Sequence, residues 1–113
     1  MKTTARDVCK VTIIGLNGRL TIGKGDLILR EAVDKALKDG KQRILLNLGQ
    51  VGYMDSAGIG ELVACRKRVV EKEGQMKLIN PGGRVQDLLV LTKLDEYFEI
   101  YDTEEEGLAS FVG

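Results

Sequence analysis

Between Ile44 and Leu62 the chain reads ILLNLGQVGYMDSAGIGEL, an apolar run that ends in a Gly-containing turn and restarts as a helical pattern. The apolar residues of Ile44 to Leu48 do not alternate, which predicts a strand buried on both faces, the kind found in parallel sheets covered by helices. After the loop Gln50 to Met54 come Asp55 and Ser56, an N-cap pair, then Ala57, Gly58, Ile59 and Gly60 in the first turns of a helix. The loop brings Tyr53 and Met54 to the same rim. Two glycines there lower helix propensity, with no packing reason visible in the sequence, and let another surface approach the backbone. Gly58→Val is therefore expected to melt near the native temperature while obstructing whatever docks beside Ser56. A hydroxyl at a helix N-terminus, beside bare backbone, is placed to carry or present a phosphate.

The rest of the chain must give that strand neighbours. Val8 to Leu16 and Arg19 to Ile22 flank Asn17-Gly18, a hairpin signal, and predict two antiparallel strands. Asp26 is the expected N-cap of a helix with Ile28, Ala32, Val33, Ala36 and Leu37 on its apolar face and Gly40 at its C-terminal end. The helix after Ser56 carries Ile59, Leu62, Val63, Arg66, Val69 and Val70 along one stripe, and Gly74 closes it. Met76 to Ile79 reads as a second buried strand, Val85 to Leu94 as a short helix, and Tyr97 to Tyr101 as a last strand. Thr103 caps a C-terminal helix whose first turn holds Glu104 to Glu106, docked by Leu108, Ala109, Phe111 and Val112. Helices alternating with strands after an initial hairpin predict an α/β chain: a small mixed β-sheet, parallel in its centre and backed by helices.

At 113 residues there is room for a single domain over 1–113. Its 17 basic and 17 acidic residues cancel, with no long basic run, which argues against a nucleic-acid partner. No apolar stretch approaches 18 residues and no secretory h-region is present, so the chain reads as cytoplasmic, without a membrane partner. Cys9 and Cys65 are expected to be reduced, small core residues. Histidine is absent, which removes Ser-His-Asp and Cys-His catalysis and leaves few zinc ligands. No carboxylate pair has a spacing that assigns acid and base roles, so no catalytic residue is expected. Gly23-Lys24-Gly25 lacks the hydroxyl residue of a Walker loop and reads as a flexible connector.

MDSAGIGEL, preceded by ILLNLGQV, resembles the signature of STAS domains, in particular the bacterial anti-sigma factor antagonists. Gly18-Arg19-Leu20 falls where that family has a G-x-L step, and the likeness runs from about Val8 to Phe111. The resemblance implies a single STAS-like domain in which Ser56 is the phosphoacceptor. It implies a partner-switching cycle in which the unphosphorylated protein binds an anti-sigma factor that is also a serine kinase, freeing a sigma factor. The kinase, using its own ATP, phosphorylates Ser56, and a PP2C-type phosphatase resets the switch. No cofactor is implied for this chain. The implied partner surface comprises Tyr53, Met54, Asp55, Ala57, Gly58, Ile59 and Gly60, with Lys24 and Asp26 from the neighbouring connector. Thr21 stands where many members carry an acidic residue. Two other readings are a STAS module binding a nucleotide or another anion, and a subunit of a larger STAS assembly, including lipid-transport machinery.

Overall fold

The computed structural model describes residues 1–111. Five strands form one sheet in the order β1-β2-β3-β4-β5: β1 (Lys2–Val8), β2 (Val11–Leu20), β3 (Arg43–Met54), β4 (Gln75–Ile79) and β5 (Ile100–Tyr101). Only β1 and β2 are antiparallel; the other pairings are parallel. The connections are α1 (Gly25–Lys38), α2 (Ser56–Glu71), and the pair α3 (Gly83–Leu91) and α4 (Leu94–Tyr97), while α5 (Glu104–Ala109) follows β5.

The two sheet faces are covered unequally. Ile14, Leu16, Ile44, Leu46, Leu48, Met76 and Leu78 pack with Leu29 and Val33 of α1, Leu62, Cys65 and Val69 of α2, and Val85 and Leu89 of α3. On the other face Val11, Ile13, Leu45 and Ile79 meet Phe111, with Leu108 of α5 beside them. A strand order that follows the chain, with α1, α2 and α3 on one side, winds the sheet in one direction. It leaves the C-terminal ends of β2 and β3 beside the entry to α2.

Several boundaries differ from the sequence reading. The hairpin lies at Cys9-Lys10, where both residues have positive φ (51° and 66°), so Cys9 is exposed at a turn and is not a core residue. Two central residues with φ > 0 make the turn that matches strand twist, a conformation that Asn and Gly favour and Cys and Lys do not announce. Asn17 and Gly18 sit inside β2, where the β2–β3 register shifts twice. Here the pairing of β2 on both sides overrides the turn signal. The segment Gln50 to Met54 belongs to β3 and is not a loop. Helix α1 starts one residue before Asp26, behind Lys24, so Asp26 lies in its first turn. Leu29 is fully buried while Ile28 is only half-buried. Tyr97 ends α4, which shortens the last strand to two residues.

The end of α2 is made by Glu73 at φ 62°, with Glu73 N donating to Val70 O and Gly74 N to Val69 O (2.9 Å each). Gly74 is therefore one residue past the left-handed position, and it is kept small by Gln42 O, 2.6 Å from where a Cβ would lie. Val70 is 48% exposed and falls off the buried stripe. Gly40 ends α1 at φ 81°, as its position predicts, and the Thr103 hydroxyl caps α5 by accepting from Glu106 N. The expected docking of Val112 lies outside the described residues.

Candidate functional site at the mouth of helix α2

Asp55 organises this end of the molecule. Its Oδ1 accepts from Gly58 N (2.9 Å), which makes Asp55 the N-cap of α2, and its Oδ2 accepts from Ile22 N (3.0 Å) in the connector before α1. Its own N–H donates to Leu20 O (3.3 Å) at the end of β2. One residue thus ties β2, the connector and α2 together. The backbone N–H of Ile22, followed by that of Gly58, holds the Asp55 carboxyl below the usual carboxylate range. With both oxygens bonded to backbone N–H groups, the carboxylate fixes the connector against the mouth of α2.

Ser56 is the first residue of α2 and is exposed. Because Asp55 is the cap, the hydroxyl of Ser56 is not needed to start the helix. The residues around it divide into two sets. Tyr53, Ser56, Gly60 and Lys24 are exposed, and Asp26, Asp55, Ala57 and Ile59 are half-buried. Met54 and Gly58 are buried, so they stand behind the surface rather than on it.

Gly58 and Gly60 have different causes. A Cβ on Gly58 would overlap Leu20 O and lie 2.9 Å from Leu20 Cγ. Gly25, at the start of α1, meets the same strand end, with Leu20 Cα 2.9 Å from its would-be Cβ. The expectation that Gly58→Val leaves stability intact is therefore overturned: backbone-to-backbone packing requires that glycine. At Gly60 no atom lies within 4 Å of the would-be Cβ, so its position is open.

The rim contains residues that the motif did not single out. Ile22 is 74% exposed although its N–H is fixed by Asp55. Arg19 stacks its guanidinium 5.0 Å from the centre of the Tyr53 ring. Beside them a groove of about 330 Å³ is lined by Tyr53, Met54, Arg84, Val85, Asp87 and Leu88, with Leu91 79% exposed at its edge. Exposed apolar side chains around a polar mouth are a feature of interaction surfaces. Ile22 reads as a strand residue in the sequence, and only the end of β2 at Leu20 reveals its exposure.

One turn further along, α2 is fixed to α1 by charge. Glu61, 5% exposed, accepts from Arg30 (2.8 Å) and Arg68 (3.0 Å), and Arg68 also donates to Asp34 (2.9 Å). Burial pushes the Glu61 carboxyl up, but the two guanidiniums outweigh it and hold the group ionised. The buried Cys65 thiol donates to Glu61 (3.4 Å), and burial pushes its pKa up to about 12, so it is an unreactive core thiol. The described residues contain no cluster of three or more His, Cys, Asp or Glu able to hold a metal ion, and no helix among them is long and apolar enough to cross a membrane.

The STAS domain profile matches residues 2–107. A Thermotoga neapolitana protein, provisionally named an anti-sigma factor antagonist, is 35% identical over 103 residues, covering 91% of each chain. The anti-sigma F factor antagonist of Paenibacillus polymyxa is 30% identical over 99 residues, covering 87% of this chain and 84% of its own. A crystal structure of a provisional anti-sigma factor antagonist from Thermotoga maritima superposes with a TM-score of 0.87 at 30% identity, covering 96% of this chain and 92% of the other.

Proposed function

Because this chain belongs to the STAS domain family, we propose that it is an anti-sigma factor antagonist working by partner switching at Ser56. In this reading the unphosphorylated protein binds an anti-sigma factor that is also a serine kinase, and so releases a sigma factor. Phosphorylation of Ser56 ends the binding, and a PP2C-type phosphatase restores it. The chain acts as binding partner and substrate, not as an enzyme, and ATP is the kinase's. The names of its relatives support the antagonist role.

The observation that carries the reading is the separation of Ser56 from the cap. Asp55 alone closes the α2 N-terminus through Gly58 N, leaving the adjacent hydroxyl exposed and structurally spare. A phosphate there brings about −1.5 to −2 charges to the helix mouth. The partial positive charge of the α2 N-terminus tolerates that within the domain. A partner fitted against Ala57, Ile59 and Gly60 meets new bulk, charge and a desolvation cost. The fold survives and the complex does not.

The partner surface extends from Tyr53 across Ser56 to Gly60, and to Lys24 and Asp26 through the connector held by Asp55 and Ile22. Thr21, in place of an acidic residue, gives this chain one negative charge fewer on that side. Incubating the protein with the serine kinase of the candidate anti-sigma factor and ATP, followed by peptide mass mapping, tests the site. A single phosphate on Ser56, absent from Ser56→Ala, is the expected result; modification elsewhere, with Thr21 and Thr103 as the next hydroxyls, rejects it.

A further inference from the structure

Strand β1 is an edge strand. Among the described residues no strand lies on its outer side, and six of its seven residues are exposed. Edge strands are commonly guarded by charge projecting at the would-be partner. Here the charges at the end of the strand are bound within the chain. Arg6 pairs with Glu104 of α5, and Asp7 accepts from Thr12 (2.7 Å) and from Lys41 (3.2 Å). What remains along the outer edge is Thr3, Thr4 and Ala5, with Lys2 at the start.

The turn at Cys9-Lys10 determines which backbone groups face out. Across a two-residue turn the flanking pair, Val8 and Val11, is the hydrogen-bonded one. Counting back in steps of two, Val8, Arg6, Thr4 and Lys2 direct N–H and C=O to β2. Thr3, Ala5 and Asp7 direct theirs outward, unpaired.

We propose that this edge pairs with β1 of a second copy, antiparallel across a two-fold axis at Ala5, to make one continuous sheet. A two-fold perpendicular to the sheet must place a residue opposite its own copy, because paired side chains share a face. Centring on Thr4 opposes Lys2 to Arg6 of the other copy, centring on Arg6 opposes two arginines, and centring on Asp7 opposes two aspartates. Like charges directly opposite are unfavourable. Centring on Thr3 leaves most of the strand unpaired. Centring on Ala5 aligns all of Lys2–Val8, placing Lys2 opposite Val8, Thr3 opposite Asp7 and Thr4 opposite Arg6. As in every register about such an axis, Thr3, Ala5 and Asp7 are the hydrogen-bonded positions, matching the groups that point out. Charge and the length of strand paired therefore select Ala5 among registers that share this hydrogen-bonding pattern. Ser56 follows β3, and β2 separates β3 from the edge, so each copy keeps its Ser56 rim.

Sedimentation velocity on the full chain from micromolar to millimolar concentration, with amide hydrogen exchange by NMR on the same samples, tests this. The expected result is a concentration-dependent dimer in which the amides of Thr3, Ala5 and Asp7 gain protection together. Ala5→Pro removes an N–H that the monomer does not use and should abolish the dimer. Should Ala5→Pro fail to fold, the exchange pattern of the parent decides alone. A monomer at every concentration overturns the proposal, and so does a dimer whose Thr3, Ala5 and Asp7 amides exchange as in the monomer. None of these readouts involves a kinase or Ser56, so failure here leaves the switch untouched.

Discussion

The first turn of α2 and the turn that follows it hold the same helix by opposite means. At the first turn backbone meets backbone: Gly58 lies against Leu20, and Asp55 accepts from the N–H groups of Gly58 and Ile22. The second turn buries Glu61 between Arg30 and Arg68, and ties α2 to α1. The first places a spare hydroxyl at the surface without depending on it. The second has no spare group. A charge change is therefore tolerable at Ser56 and damaging at Glu61, although the two lie little more than one turn apart on one helix.

Gly58→Val is the hardest test of that contrast. With the new Cβ inside the contact radius of Leu20 O, the strand end or the helix must move, at a cost near the upper end of the usual overpacking range, about 3 kcal/mol. Chemical denaturation of the variant and the parent measures it, and a near-native midpoint would show that the first turn is not packed as described. Gly60→Ala provides the control. Its Cβ enters open space in a helix, so stability should hold or rise by up to about 1 kcal/mol, while affinity for the anti-sigma kinase falls.

Glu61→Ala comes next. It leaves two guanidiniums without their shared carboxylate, and because both arginines are partly solvated the loss is set at about 2–3 kcal/mol. Ser56→Ala should change stability by less than about 0.5 kcal/mol, since the cap is Asp55. Equal losses from the two substitutions, read by thermal melting, would erase the distinction between the turns.

A smaller effect has a pH signature. The Asp55 carboxyl is depressed by its bonds from Ile22 and Gly58, so its contribution is complete above the unfolded value near 4 and is lost as pH falls through the lower folded value. Asp55→Asn should therefore be less stable than the parent at neutral pH, and the difference should narrow on acidification. Parallel melting curves at descending pH check this, and a constant gap would mean that the charge of Asp55 contributes nothing to the cap.

The contrast also shows what the sequence could carry. Asp55-Ser56 ahead of a helical pattern marks the mouth of α2 because a short polar cap after a buried strand has a local signature. Gly58 and Gly60 look alike in the sequence, since the reason for Gly58 is Leu20, thirty-eight positions earlier and brought there by the β2–β3 pairing. Glu61 is hidden for the same reason. Its arginines lie on α1 and two turns further along α2, and alone it reads as an ordinary helix carboxylate. At the hairpin the local signal pointed the wrong way. Asn17-Gly18 carries the turn preference, but pairing with β1 and β3 keeps it in a strand, and Cys9-Lys10 turns instead. The sheet order follows from alternating elements; close approach and ion pairing do not.

The most direct test of the account places fold and function on one sample. The protein is phosphorylated to completion by the anti-sigma kinase and ATP, purified, and its melting temperature and kinase affinity are measured beside the unmodified protein. The account predicts a melting temperature close to that of the parent together with loss of kinase binding, because a phosphate on Ser56 would sit at a helix mouth that Asp55 closes. Phosphorylated protein that binds the kinase as tightly as the parent, or that loses binding only because it has unfolded, would contradict it.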